Sequence, residues 1–173
     1  MKRDYGVTIE WKAYELRPGL PAEGIPRTPR SGEINGFPPH LIERAEEFGL
    51  QLKRSPIVPN SRLALEVAEY AKEKEKFDQF HRAIFRAYWE EARNIGLRSV
   101  IREIVTGCGL DGDEVELVID EGRYTQIVKA QSEQARLEGI MGIPAYVIGD
   151  YVIEGVQPYQ FFQRAVVVAQ EQT

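Results

Sequence analysis

Residues 138–158 read EGIMGIPAYVIGDYVIEGVQP. Two short apolar runs, "AYVI" from Ala145 and "YVIE" from Tyr151, flank Gly149-Asp150, a dipeptide that favours the tight turn of a β-hairpin. The first run is apolar throughout, as expected of a strand covered on both faces. Gly142-Ile143-Pro144 stands directly before it. A trans proline at a strand start satisfies that pattern. A cis proline, which costs little only when the peptide bond precedes proline, would satisfy it too and would leave main-chain groups available to a ligand. The chain then closes with "PYQFFQRAVVVAQEQ", a helix with Pro158 in its first turn.

The hairpin is preceded by a helical block from about Asn60 to Ile140. Leu63, Val67, Tyr70 and Ala71 form one apolar stripe at helical spacing, and Phe77, Phe80, Ile84, Phe85 and Tyr88 form a second. After Gly96 come "LRSVIREIVTGCG", then "DGDEVELVIDEG" opening on an aspartate cap, then "RYTQIVKAQSEQARLEGI". Towards the N-terminus, Val7, Ile9, Trp11 and Ala13 alternate with polar residues, the period of an edge strand with one buried face. Trp11 and Tyr14 are read as its core and surface aromatics. From Arg17 to Pro39 six prolines, Pro29 among them, exclude long regular structure. "PHLIERAEEFGL" reads as a short helix ended by Gly49. The order of strand, loop, helices, hairpin and helix predicts an α/β domain with helices inserted between two strand-bearing ends.

Composition bounds the function. The 173 residues suffice for one globular core, and a net charge of −5 with interspersed signs leaves no basic stripe for nucleic acid. No apolar run has the length of a membrane span, and the first residues lack the apolar core of a signal peptide, so a cytoplasmic chain is expected. Cys108 is the only cysteine, which rules out a CxxC pair or a cysteine zinc cage within these residues. It lies between two glycines at a helix end, with nothing beside it in sequence to stabilise a thiolate, and is read as a small half-buried hydrophobe. His81 on an amphipathic helix and His40 after two prolines have no partner at ligand spacing and are read as packing or exposed side chains. No metal site is expected. "PNS" at residues 59–61 is a helix N-cap before it is anything else.

Four stretches taken together are specific: "VTIEWKAYELRPGLP" from Val7, "VPNSRLALEVAEYA" from Val58, "FHRAIFRAYWEEARNIG" from Phe80 and the hairpin segment from Gly139. On these the chain resembles the DsbA-like thioredoxin-fold proteins, especially the FrnE-like thiol-disulfide oxidoreductases. The resemblance implies a thioredoxin-like sheet with an inserted helical domain, divided as 1–59, 60–140 and 141–173, the outer parts forming the thioredoxin-like domain. It implies a cis Pro144, with Ile143 offering its backbone to an extended peptide or a small thiol or disulfide. It implies no cofactor, with glutathione as an alternative substrate or ligand. Related glutathione-dependent isomerases of this fold, the 2-hydroxychromene-2-carboxylate isomerases, place a Pro-Asn element near substrate, which makes Pro59 and Asn60 further substrate-binding candidates and the isomerase the second reading.

In the family the chemistry belongs to a Cys-x-x-Cys at the start of a helix after a first strand, where the helix N-terminus favours the thiolate. The resemblance begins beyond that segment, so the 173 residues are expected to lack the first strand and the CxxC helix, to be inactive in dithiol exchange, and to have no catalytic residue of that type. The family's strand order would then leave two edges facing a gap. A homodimer or strand-exchanged oligomer is the expected remedy.

Overall fold

The computed structural model describes residues 1–28, 31–33 and 36–171, and for Lys2 the backbone alone. Pro29 of the proline-rich loop lies outside the described residues. Contacts divide the chain into two units, Arg17–Val128 and a second made of Met1–Leu16 with Lys129–Thr173.

The first unit is built on the helical stripes. Helices α3 (Arg62–Glu73), α4 (Phe77–Trp89), α5 (Arg98–Gly107) and α6 (Gly112–Asp120) turn Val67, Tyr70, Phe80, Ile101, Val105, Val115 and Val118 into one cluster that excludes solvent. Each such side chain contributes about 1.5–3 kcal/mol by burial, so this cluster is the main source of the unit's stability. The α6 helix starts where the sequence predicts. The Asp111 side chain accepts from the backbone N–H groups of Asp113 (2.8 Å) and Glu114 (3.3 Å). The second stripe differs from expectation. Phe80, Ile84 and Ala87 point inward, whereas Phe77, His81 and Phe85, four residues apart, stack as an outer ribbon with ring centroids 5.1 and 4.6 Å apart, Phe85 being 52% exposed. A stripe defined by apolarity alone merges these two adjacent helix faces.

Before the bundle, the proline-rich loop carries one minimal ladder. Strand β1 (Ile25–Pro26) pairs antiparallel with β2 (Ile57–Val58), and between the two strands runs α2 (Pro39–Glu47). Arg27 fixes the ladder by donating from Nε to the Ser55 carbonyl and from Nη2 to the Tyr88 hydroxyl.

In the second unit, residues 7–16 form no strand, which corrects the edge-strand expectation. A strand needs a ladder, and here α7 (Thr125–Leu137) supplies side chains instead. The Ala13 N–H donates to Gln131 Oε1, the Glu15 N–H donates to Ser132 Oγ, and Arg136 donates to the Glu15 carbonyl. Ala13 and Glu15 are buried on that side, while Ile9 and Trp11 stay nearly half exposed. The hairpin forms from the two runs the sequence marks: β3 (Ala145–Ile148) pairs with β4 (Tyr151–Glu154), Val147 opposite Val152. Gly149 turns at φ +57°, and a Cβ there would lie 3.1 Å from that of Ala169. Helix α8 (Tyr159–Glu171) covers one hairpin face through an edge-on Tyr146–Phe162 contact at 4.7 Å. The other face is open, with Val147 56% exposed, so β3 is not covered on both sides as its composition suggests. The short α1 (Lys2–Tyr5) attaches to α8, whose Gln163 and Gln170 side chains donate to the hydroxyl and carbonyl of Tyr5.

Candidate functional site

The Ile143–Pro144 peptide bond is cis, and Ile143 is 54% exposed. The loop is anchored on both sides. The Met141 N–H donates to Glu154 Oε1 at 3.0 Å, the Gly155 N–H donates to the Pro144 carbonyl at 2.8 Å, and the Tyr14 hydroxyl donates to the Ile140 carbonyl at 3.1 Å. Between those anchors the N–H and C=O of Ile143 take no hydrogen bond among the described residues. Main-chain groups left unbonded in this way, leading into a strand, can receive an extended peptide as an added strand does. Tyr14 and Glu154 were not singled out in the sequence as supports of the loop. Tyr14 is 126 residues from the carbonyl it holds, and no local spacing signals that contact.

Pro59 and Asn60 lie in the helical unit, and Ile143 and Pro144 in the other. Pro59 is buried. Asn60 uses both ends of its amide: Nδ2 donates to the Leu20 carbonyl at 2.6 Å and Oδ1 accepts from the Arg62 N–H at 2.9 Å. The second bond is the helix-start bond expected of "PNS", made one residue before the cap position at Ser61. The first ties down the proline-rich loop. Gly96 packs against the same place, where a Cβ would come within 2.8 Å of the Asn60 carbonyl and 2.9 Å of that of Ala22.

Cys108 caps the C-terminal end of α5 and lines an open cleft of about 470 Å³ between α4 and α5, beside Arg82, Arg86 and Gly107. Burial raises its thiol pKa above the ordinary value, and the nearby Lys76 ammonium only partly opposes this. A thiol held in that direction is protonated at neutral pH and is a poor nucleophile. His81, between its two phenylalanines, has its pKa lowered by burial against the weaker opposing charge of Asp78. His40 is exposed in the first turn of α2. Trp11 is 45% exposed, and Tyr14 lies under the Arg136 guanidinium at 5.2 Å. Among the described residues no group of three histidine, cysteine, aspartate or glutamate side chains is placed to hold a metal ion, and no helix is long and apolar enough to cross a membrane.

Comparison with known proteins bears on this arrangement. The chain is 26% identical over 163 residues to the uncharacterized protein YwbO of Bacillus subtilis (strain 168), spanning 92% of this chain and 81% of that protein. Its fold is similar to the crystal structure of a probable DsbA oxidoreductase from Streptomyces coelicolor, with a TM-score of 0.71 and 24% identity. That match covers 78% of this chain but only 59% of the Streptomyces chain. A 2-hydroxychromene-2-carboxylate isomerase is similar in fold to the same degree, with a TM-score of 0.71 at 21% identity over 99% of this chain and 85% of that one. At these identities the two structures speak for the fold alone. The family model of the DSBA-like thioredoxin domain matches residues 1–167, and the chain belongs to the DSBA-like thioredoxin domain family.

Proposed function

We propose that these residues form the substrate-holding part of a DsbA-like thiol-disulfide protein, with the Ile143–Pro144 loop presenting its main chain to an extended peptide or a small thiol or disulfide. The observation that carries this reading is the exposed Ile143 with its unbonded N–H and C=O, flanked by the anchored Met141 N–H and Pro144 carbonyl. Dithiol exchange forms a mixed disulfide with one thiol and resolves it with a second. The 173 residues contain one cysteine, and its thiol is shifted towards the protonated form, so they hold a substrate without turning it over. The isomerase alternative asks Asn60 to face a ligand. Its amide is already bonded at both ends inside the helical unit, which favours the peptide reading.

The test compares the chain with its Cys108→Ala variant in insulin reduction by dithiothreitol, and measures binding of a fluorescent unfolded peptide to the chain and to Ile143→Asp. Equal, background-level reduction is expected from both proteins. Peptide binding is expected to weaken by about tenfold in Ile143→Asp, a loss of about 1.4 kcal/mol. Reduction that depends on Cys108, or peptide binding indifferent to Ile143→Asp, would overturn the reading.

A further inference from the structure

Charge around the proline loop and hairpin is of one sign. From Leu137 to Gln163 the sequence has Glu138, Asp150 and Glu154 and no lysine, arginine or histidine. Glu154 is the acid that touches the loop, since its Oε1 accepts the Met141 N–H at 3.0 Å. That bond uses one carboxylate oxygen. The side chain is exposed, and no cation pairs with it among the described residues. Arg136, the basic residue nearest the loop in sequence, is turned to the Glu15 carbonyl and the Tyr14 ring.

Glu154 pairs directly with Ala145, and paired residues project from the same face of a hairpin. The edge of β3 away from β4 has no strand beside it among the described residues. A peptide laid along Ile143 and that edge would run about 4.8 Å from β3 and about 10 Å from β4. Its residue beside Ala145 then projects over a single methyl group towards Glu154. The methylenes of a lysine or arginine side chain can cross that methyl and bring the cation to the free carboxylate oxygen, whereas an acidic side chain there meets a like charge. Given the peptide reading above, on which this rests, we infer that the loop selects extended peptides carrying a lysine or arginine two residues from the one that meets Ile143, with Glu154 as the residue that sets the preference. An exposed carboxylate is a modest selector. Pairs of this kind change affinity by at most about fivefold and weaken with salt.

Two capped fluorescent peptides test this, each with a central leucine in an otherwise uncharged extended sequence. One carries lysine and the other glutamate two residues away on both sides, so that either chain direction places one of them beside Ala145. Anisotropy titration of the full chain in about 20 mM salt should show the lysine peptide binding about fivefold more tightly, and the ratio should fall below about twofold in about 500 mM salt. Glu154→Gln keeps an acceptor for the Met141 N–H and removes the charge, so it should bring the low-salt ratio below about twofold. Asp150→Asn removes a charge from the far end of the same hairpin and should leave the ratio at about fivefold. Equal affinity of the parent for the two peptides, a preference that persists in Glu154→Gln, or one lost equally in Asp150→Asn would overturn the inference and leave the peptide reading standing. Binding of neither peptide would overturn the peptide reading and the inference with it.

Discussion

Asn60 shows how a side chain suited to two roles is assigned by its partners. Its amide holds the Leu20 carbonyl and the first turn of α3 together, 40 residues apart in sequence for the first of these. Asn60→Ala is therefore expected to destabilise the chain by about 1–3 kcal/mol in urea unfolding, the cost of losing both bonds of its amide, with peptide binding at the Ile143 loop unchanged. A stability within experimental error of the parent would show that water replaces both bonds. The helix-start half of this role is legible in "PNS"; the loop-holding half is not, because nothing in the proline-rich stretch marks which carbonyl it turns inward. His81 makes a second residue-scale prediction. Its pKa is lowered by burial between Phe77 and Phe85, so the neutral ring is the form the fold prefers. The stability it contributes is present above its ordinary value of 6.5 and is lost as pH falls through the lower folded value. Titration of the ring protons by NMR should give a midpoint below 6.5, and one above it would contradict the packing described.

At the scale of elements, periodicity located the helices and the hairpin, and it failed where an element's identity depends on a neighbour. Residues 7–16 alternate as a strand does, yet they pair with no strand, and the backbone groups of Ala13 and Glu15 bond instead to Gln131, Ser132 and Arg136 of α7. Of the residues the alternation assigns to the buried side only Ala13 is buried, while Ile9 and Trp11, the latter read as a core aromatic, are nearly half exposed, because the pattern does not record what lies beside the chain. Ser132 is 2% exposed and accepts the Glu15 N–H at 2.9 Å. Ser132→Ala removes this buried bond, at an expected cost of about 0.5–1.5 kcal/mol, and should raise hydrogen exchange at the Glu15 amide while leaving the α3–α6 amides protected. Unchanged exchange at Glu15 would mean that this contact does not order the segment. The hairpin was legible because its signals are local: a Gly-Asp turn between two four-residue runs. That one face of β3 is bare was not, since an apolar run reads the same whether one side or both are covered.

For the whole molecule, the two kinds of legibility correspond to the two units. The helical unit is held by packing among α3, α4, α5 and α6, each with one apolar stripe, so its core could be listed from apolar spacing with one face misjudged. Its two buried tyrosines add a pH limit. Burial and the Glu73 carboxylate push the Tyr124 pKa up to about 12, and Tyr70 is raised as well, by burial and Glu114. Groups with raised folded values stabilise fully below their ordinary value of 10.0, and that stability is lost as pH rises through the folded values. The helical circular-dichroism signal should therefore fall above pH 10, and less steeply in Tyr124→Phe. The other unit joins the first 16 residues to the last 45, a pairing that no local pattern announces. Its proline loop was nevertheless singled out from three residues, Gly142, Ile143 and Pro144, because their meaning came from family resemblance and not from periodicity.

The most direct test of the account is an amide-resolved NMR titration of the chain with an extended, unfolded peptide. Substrate holding at the proline loop predicts shift changes concentrated at Ile143, Ala145 and Gly155, with Asn60 and the cleft beside Cys108 unmoved. Shifts centred on the α4–α5 cleft, or none at peptide concentrations approaching about 1 mM, the weak end of specific recognition, would contradict it.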